Sequence, residues 1–441
     1  MMKQPQFATL KLEKIVGGGQ ALGKLDDGKK AFVWGGLPGE TIQILITKKK
    51  SHFVEGIVTE VTEASPQRIT PKDPDSYLST SPWQIMDFSA EQHYKSALVE
   101  EAFELHDIVL PHAIDMFSDN RTERYRNKVE FSWYGRSDEA SEKEFLDLAF
   151  FRRGSKGKII INDSNLLPDS IMTLAREIRD LLAGKNISAR QLKTLLIRCD
   201  QKGNCVWQLY IKDKMRDLLS EQEMSSIAAQ GGELIYSDPR SPASRITERL
   251  RAVGDVVLAD DVLGVPFRYA TEGFFQVNIP VYEEALKDMK KWIDDKKDAN
   301  HIIDLYSGVG SIGLTISGDK KVTLIEINED AVREMKHNIE RLGKSDSAEP
   351  VLAASEKALE HLGSDSIVIL DPPRAGLHAD VIAKLLEKQP PRIIYLSCNP
   401  VTQARDVALL ADAYGIRAHR GYNFFPRTPH IEHLVILDLK A

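Results

Sequence analysis

The sequence predicts an α/β protein in three parts: a small N-terminal OB-like β-barrel over residues 1–64, a central α+β domain over 65–272, and a C-terminal doubly wound, Rossmann-like domain over 273–441. Three observations carry that prediction. The first 62 residues break into short β-rich runs between turn signals, with no helical period. From about Pro280 onward, apolar strand-sized runs alternate with amphipathic helices, the pattern of βαβ units and a parallel sheet. The length of 441 residues fits two to four domains at roughly 150 residues each.

Taken in order, the barrel strands are Ala8–Ile15, Lys30–Trp34, Thr41–Ile46 and Phe53–Thr62, separated by Gly17-Gly18-Gly19, Asp26-Asp27-Gly28 and Leu37-Pro38-Gly39. Short strands at this spacing suggest an OB-like closure. Lys48, Lys49 and Lys50 fall between two strands, on an exposed loop that is either a solvated turn or a phosphate contact. Pro66 to Pro82 is rich in Pro, Ser and Asp and reads as a linker. Glu91–His112 has helical spacing, with Leu98, Ala102, Leu105 and Val109 on one face. Strand-like runs follow at Asn127–Trp133 and Lys158–Ile161, then a helix near Ile171–Leu182 and a hairpin of Thr194–Cys199 with Val206–Ile211. Cys199 and Cys205 flank the hairpin turn. With a five-residue gap and no nearby His, they read as two half-buried strand thiols. In the last part a helix, Val281–Asp294, leads to strands His301–Leu305, Val322–Ile327, Ile367–Leu370, Arg392–Ser397 and Glu432–Leu439, with a helix at Thr402–Ala413.

Composition narrows the class. Hydrophobic residues at 42% and charged residues at 28% are ordinary globular proportions and exclude collagen-like, disordered and coiled-coil chains. The longest clean apolar runs are strand-sized, so no membrane span is expected. The stretch Met1–Gln6 has no apolar signal core, and the three cysteines suit a reducing compartment, so the expected location is the cytoplasm. A monomer is expected. The net charge of -7 is uneven: residues 1–62 carry nine lysines against six acids. A basic module on an acidic body can hold RNA, because phosphate binding depends on the local patch.

In an open α/β sheet, function sits at the carboxyl ends of the strands. The first strand runs into Asp304-Leu-Tyr-Ser-Gly308-Val-Gly310-Ser-Ile-Gly313, whose glycines let the backbone pass close to a ligand and enter a helix. The second ends at Glu326, an acid placed to bind ribose hydroxyls. Alone, this pair fits NAD, FAD or S-adenosylmethionine. The next strand ends in Asp371-Pro372-Pro373-Arg374, where the prolines stop the ladder and form a rigid lip that can meet a flat substrate. The strand after that ends in Ser397-Cys398-Asn399-Pro400, a thiol just before a helix N-terminus, which would favour the nucleophilic thiolate.

These residues resemble the S-adenosylmethionine-dependent RNA uridine-5-methyltransferases, the family that makes 5-methyluridine in tRNA or rRNA. The resemblance runs through Leu37-Pro-Gly-Glu40, Ser65-Pro-Gln-Arg68, Tyr125-Arg-Asn127, Phe274-Phe-Gln276-Val-Asn278, Asp304-Leu-Tyr-Ser-Gly308, Asp371-Pro-Pro-Arg374, Ser397-Cys-Asn-Pro400 and His430-Ile-Glu432, in the family's order. It implies a TRAM domain at the N-terminus, a class I methyltransferase domain at the C-terminus, and RNA as partner. By motif, Gln276, Tyr306, Ser311, Glu326 and Asp371 correspond to the donor's ligands, Ser311 standing where the family often has Asn. Cys398 corresponds to the nucleophile and Glu432 to the base. Many members hold a [4Fe–4S] cluster on four cysteines. Here the matching stretch is Asp75–Trp83, with Ser76, Ser79 and Ser81, and the later position lies near Ser164. Such clusters require thiolates, so no iron–sulfur cluster or other metal is expected.

The chemistry calls for those residue types. Carbon 5 of uracil is too weak a nucleophile to take a methyl group unaided, and a thiolate added at carbon 6 makes it an enolate carbon. The target must leave its stack to reach a strand-end thiol. The barrel lysines would hold neighbouring RNA, and Arg121, Arg124, Arg126 and Lys128 form either a second basic strip or a solvated strand edge. His430 and His433 read as surface or packing residues. A nicotinamide oxidoreductase would leave Asp371 and Cys398 without a role, and a non-catalytic RNA-binding protein would leave Cys398 dispensable. A 5-methylcytidine enzyme would carry a Pro-Cys strand end.

Overall fold

A computed structural model describes residues 5–137, 144–185 and 187–440. Met1–Gln4, part of the stretch read for an export signal, lie outside the described residues. Among the described residues no helix is long and apolar enough to cross a membrane.

The N-terminal part is a closed five-stranded barrel in the order Phe7–Ile15, Ala21–Lys24, Lys30–Trp34, Phe53–Glu63, Thr41–Lys49. Its strands alternate, as a half-buried strand must, and Leu10, Leu12, Val33, Ile42, Ile44 and Val54 fill the interior. Ala21–Lys24 escaped the sequence reading because four residues bounded by glycine carry little period. Lys48 and Lys49 end a strand rather than lying in the loop, and all three lysines are exposed.

The Pro- and Ser-rich stretch after the barrel is packed, not a free linker. Arg68 donates to both oxygens of the buried Glu40 carboxylate (2.5 and 2.8 Å), tying the stretch to the barrel. Gln84 bridges Ser81 (2.6 Å) and Asp73 (2.8 Å), and Asp73 accepts from the Asn165 side chain (2.9 Å). The residues look linker-like because they are polar turn formers, yet Asp73, Ser76, Ser81, Gln84 and Ser164 are all buried and bond locally instead of to water.

The central part is a seven-stranded sheet in the order Glu248–Gly254, Gly231–Tyr236, Cys205–Ile211, Leu192–Cys199, Lys128–Ser137, Glu144–Phe151, Lys158–Ile160. The helix Asp169–Ala183 covers one face with Ile171, Met172, Leu174, Ala175, Ile178 and Leu182. Cys199 and Cys205 are not two separate thiols: they are ladder partners across the hairpin, and their sulfurs form a disulfide.

The C-terminal sheet has eight strands, in the order Ala348–Leu352, Lys321–Glu326, His301–Leu305, Ser366–Leu370, Arg392–Ser397, Glu432–Leu439, Tyr414–Tyr422, Met116–Phe117. The first five are parallel, and Glu432–Leu439 runs antiparallel to both neighbours. Both faces are covered: Ile302, Ile367, Ile369 and Ile394 pack on one side, Ile303, Val368, Leu370 and Ile393 on the other. Such doubly buried strands read as unbroken apolar runs, which is why the sequence located five of the eight within a residue; Ala348–Leu352, Tyr414–Tyr422 and Met116–Phe117, which are partly exposed, were missed.

Packing does not follow the divisions drawn at residues 65 and 273. The helix Phe88–Glu104 buries Val99, Ala102 and Phe103 in the core of the C-terminal sheet, and Met116–Phe117 extends that sheet. The helix stops at Glu104, short of the expected His112. Leu105 and Val109 are 75% and 91% exposed, so the apolar period past Glu104 was coincidental. The hairpin Val257–Val262 with Val265–Ala270 inserts Phe267 and Tyr269 into the opposite face.

Candidate active site

The glycine turn follows His301–Leu305. Tyr306 has φ +64°, a left-handed conformation unusual for a side-chain-bearing residue and typical of functional sites. Gly308 and Gly310 are also left-handed. A Cβ on Gly310 would meet Leu314 Cδ1 at 2.9 Å, whereas one on Gly308 would meet nothing within 4 Å. The turn is therefore packed on its inner side and open on its outer side. Glu326, at the end of the neighbouring strand, accepts from Gly308 N (3.0 Å) and Asn328 N (2.8 Å). Asp304 accepts from Gly313 N (2.9 Å), but its Oδ1 and the Ser307 hydroxyl are buried with no hydrogen-bond partner among the described residues. Burial pushes the Asp304 carboxyl up to about 8, and Asp371 and Glu326 add to that rise. Ser311 shares a hydrogen bond with the buried Tyr282 hydroxyl (2.8 Å).

The second group lies at the next strand ends. The antiparallel ladder of Arg392–Ser397 with Glu432–Leu439 ends at Ser397–His433. The next residue along each chain is Cys398 or Glu432, so the register sets these two opposite one another. Charge coupling ties them to Asp371: Glu432 and Asp371 both raise the Cys398 thiol, and Asp371 raises Glu432. Burial is the largest cause for each, taking Cys398 to about 11, Asp371 to about 7, and Glu432 well above an ordinary carboxyl. The thiolate expected from the helix N-terminus is thus not stabilised. Pro400, the first helical residue, has no N–H, and the Val401 N–H bonds to the Asn399 side chain. The Arg374 cation pulls Cys398 and Glu432 down. Its Nη2 donates to His430 Nδ1 (3.0 Å), and its carbonyl accepts from the Asn399 side chain (2.9 Å), linking the Asp371 and Cys398 turns. Burial, followed by Arg374, lowers His430 to about 4, so at neutral pH this imidazole is uncharged.

The segment leading to Glu432 is held from outside the sheet. Lys95, wholly buried on the helix Phe88–Glu104, donates to Asn423 (2.6 Å) and to the Phe425 carbonyl (3.1 Å), and it pairs with Glu91 (3.2 Å). Glu91 accepts from Arg427 N and from Asn423. The Tyr125 hydroxyl donates to the Pro426 carbonyl (2.9 Å). A cavity of about 620 Å³ opens beside this segment, between the central sheet and the C-terminal sheet. Arg126, Lys128, Phe274, Gln276, Arg374 and His430 are among its walls.

A family model described as tRNA (Uracil-5-)-methyltransferase matches residues 93–440, and a TRAM domain model matches residues 9–59. The chain belongs to the tRNA (uracil-5-)-methyltransferase family. Its relatives include proteins named as uncharacterized RNA methyltransferases. That of Bacteroides thetaiotaomicron is 27% identical over 96% of this chain and 99% of its own length, and that of Chlorobaculum tepidum is 28% identical over 94% and 92%. Among solved structures, the Pyrococcus abyssi tRNA (uracil-54, C5)-methyltransferase in complex with S-adenosyl-L-homocysteine matches with a TM-score of 0.76 at 18% identity, covering 97% of this chain and all of that one. That likeness is one of fold.

This uracil-5-methyltransferase takes its methyl group from S-adenosylmethionine and acts on RNA. Its glycine turn fits such a donor: Gly308 is open on one side, its N–H is held by the Glu326 carboxylate, and Asp304 Oδ1 and the Ser307 hydroxyl at the turn have no hydrogen-bond partner among the described residues. Of the residues singled out in the sequence, Tyr306, Ser311, Glu326 and Asp371 gather at neighbouring strand ends, and Gln276 lines the cavity together with Arg374 of the Asp371 motif. The Tyr306 hydroxyl points to Ser355 and the His378 amide. Arg121 and Arg124 do not form a free basic strip, since Arg121 bonds to the Arg124 carbonyl and Arg124 pairs with Asp169. Only Arg126 and Lys128 reach the cavity. The sequence reading gave no role to Arg374, though it closes the Asp371 motif. It had no means of finding Lys95 and Glu91, which look like an ordinary exposed helix pair.

Proposed function

We propose that Cys398 is the nucleophile and Glu432 the base for methylation of carbon 5 of a uridine in rRNA or tRNA, with Gln276, Tyr306, Ser311, Glu326 and Asp371 binding S-adenosylmethionine in a monomeric enzyme. The observation that carries this reading is the register that sets Cys398 opposite Glu432 at one sheet end, coupled to Asp371.

The resting thiol is protonated; its proton passes to solvent water as sulfur bonds to carbon 6, and the carbon 5–carbon 6 double bond shifts its electrons towards the carbon 4 oxygen, giving the enolate. S-adenosylmethionine supplies the methyl group, on a sulfonium, to carbon 5. Glu432 then removes the carbon 5 proton, the ring double bond re-forms, and the Cys398 sulfur is expelled. A carboxyl whose proton affinity is raised by burial is a stronger base once ionised. Arg374, adjacent to both groups, favours their charged forms and so lowers the cost of reaching them.

The two residues should fail differently. Glu432→Gln should methylate once and stall, leaving Cys398 bonded to the ring and a slow-migrating protein–RNA band on a denaturing gel. Cys398→Ala should give no band. A band from Cys398→Ala would assign the nucleophile elsewhere. Normal turnover by Glu432→Gln would exclude Glu432 as the base. Mass spectrometry of tRNA and rRNA from cells lacking the protein identifies the uridine.

A further inference from the structure

The segment Glu272–Gln276 leads from the hairpin strand Val265–Ala270 to the helix Ile279–Asp295, and side chains on and beside the central sheet hold four of its five carbonyl oxygens. Lys128 Nζ donates to the Glu272 carbonyl (3.0 Å), and the two terminal nitrogens of Arg198 donate to Gly273 and Phe275 (2.7 Å each). Asn127 Nδ2 donates to Gln276 (3.4 Å). Arg198 and Lys128 are ladder partners on adjacent strands, so the sheet itself fixes the spacing of these donors.

The arrangement is costly as mere packing. Arg198 is completely buried and stacks 4.5 Å over the Tyr269 ring, its bonds go to neutral carbonyls, and its Nε has no partner among the described residues. A buried cation without a carboxylate in contact is expensive, and an apolar side chain would fill the space more cheaply. The Asp260 carboxylate, which acts on Arg198 through its charge, is taken up by the Tyr269 hydroxyl (2.6 Å) and the Gln201 N–H (2.7 Å) and makes no hydrogen bond to the guanidinium. What the donors achieve is control of backbone direction. Phe274, the one residue of the five without a held carbonyl, is gripped on both sides and stands 73% exposed in the wall of the 620 Å³ cavity, next to Gln276.

We propose that Arg198, together with Lys128 and Asn127, positions the reaction: by fixing the carbonyls of Glu272–Gln276 it aims Phe274 and Gln276 at the bound uridine and methyl donor. This rests on the reading of the site under Proposed function. The three are positioning residues. They act through a peptide segment, and their loss misplaces the reacting groups without removing a contact to RNA phosphates. Small displacements of this kind lower the rate of the chemical step more than binding.

The test uses full-length protein, methyl-tritiated S-adenosylmethionine, and total RNA from cells lacking the protein. Arg198→Met, Lys128→Met and Asn127→Ala should each lower kcat, tenfold or more for Arg198→Met, with the KM for RNA within threefold of wild type. Arg198→Lys should recover part of the loss, because one ammonium can hold one of the two carbonyls. A folded Arg198→Met with wild-type kcat overturns the proposal, and so does a loss confined to KM, which would make these residues phosphate contacts. If Arg198→Met does not fold by circular dichroism, Lys128→Met and Asn127→Ala decide by the same split: a purely structural role would lower the melting temperature and leave kcat per folded molecule unchanged. Wild-type protein that labels none of this RNA would instead overturn the reading of the site.

Discussion

Alkylation of Cys398 gives a direct measure of the site's electrostatics. Burial, then Glu432, then Asp371 raise this thiol from 9.0 to about 11, while Arg374 opposes them. Two pH units make the thiolate about 100-fold scarcer at neutral pH than on an ordinary cysteine, equivalent to about 2.7 kcal/mol. Cys398 is partly exposed and Cys199 is bonded to Cys205, so one thiol reports. Iodoacetamide labelling, followed by peptide mass spectrometry from pH 7 to 11, should show the rate rising about tenfold per pH unit to at least pH 10. Poor access lowers every rate but leaves the midpoint where it is. Glu432→Gln should move the midpoint down, though not below 9, because burial is the larger cause. A wild-type midpoint at or below 9 would refute the reasoning and restore a stabilised thiolate.

Three further outcomes are expected. Glu326→Ala should weaken S-adenosylmethionine binding by about 1–3 kcal/mol by calorimetry, the range for a lost charge-assisted hydrogen bond, and unchanged affinity would remove Glu326 from the donor site. Lys95→Met should destabilise the fold by about 1–3 kcal/mol in denaturant, because the buried Glu91 keeps Arg427 (3.7 Å) as its cation while Asn423 and the Phe425 carbonyl lose their buried donor, and it should slow methylation by freeing the Phe425 segment. Burial lowers Lys95 from 10.5 to about 8. Between those values the unfolded chain binds a proton the folded one does not, so this residue's contribution to stability rises with pH there, and the variant should lose that rise. Protein purified without oxygen should be colourless and iron-free, since Ser76, Ser79, Ser81 and Ser164 offer no thiolate; stoichiometric iron would contradict this.

The sequence by itself determined five of the eight strands of the C-terminal sheet and its reactive ends. Strands covered on both faces must be apolar throughout, and the turns after them need Gly, Pro, Asp or Cys for reasons of backbone and chemistry, so His301–Leu305, Arg392–Ser397, Glu432–Leu439 and the motifs beyond them are legible one after another. Local pattern cannot reveal which distant segments share a core or a charge. It assigned Phe88–Glu104 and Met116–Phe117 to the middle of the chain, although they complete the C-terminal sheet. It gave Lys95, Glu91 and Arg198 no role, because a buried cation and an exposed one are written with the same letter. It also gave Cys398 a helix-stabilised charge that burial and two neighbouring carboxyls reverse. Burial and proximity are properties of the folded chain as a whole, and here they set the proton affinities and the aim of groups whose identities the sequence already contained.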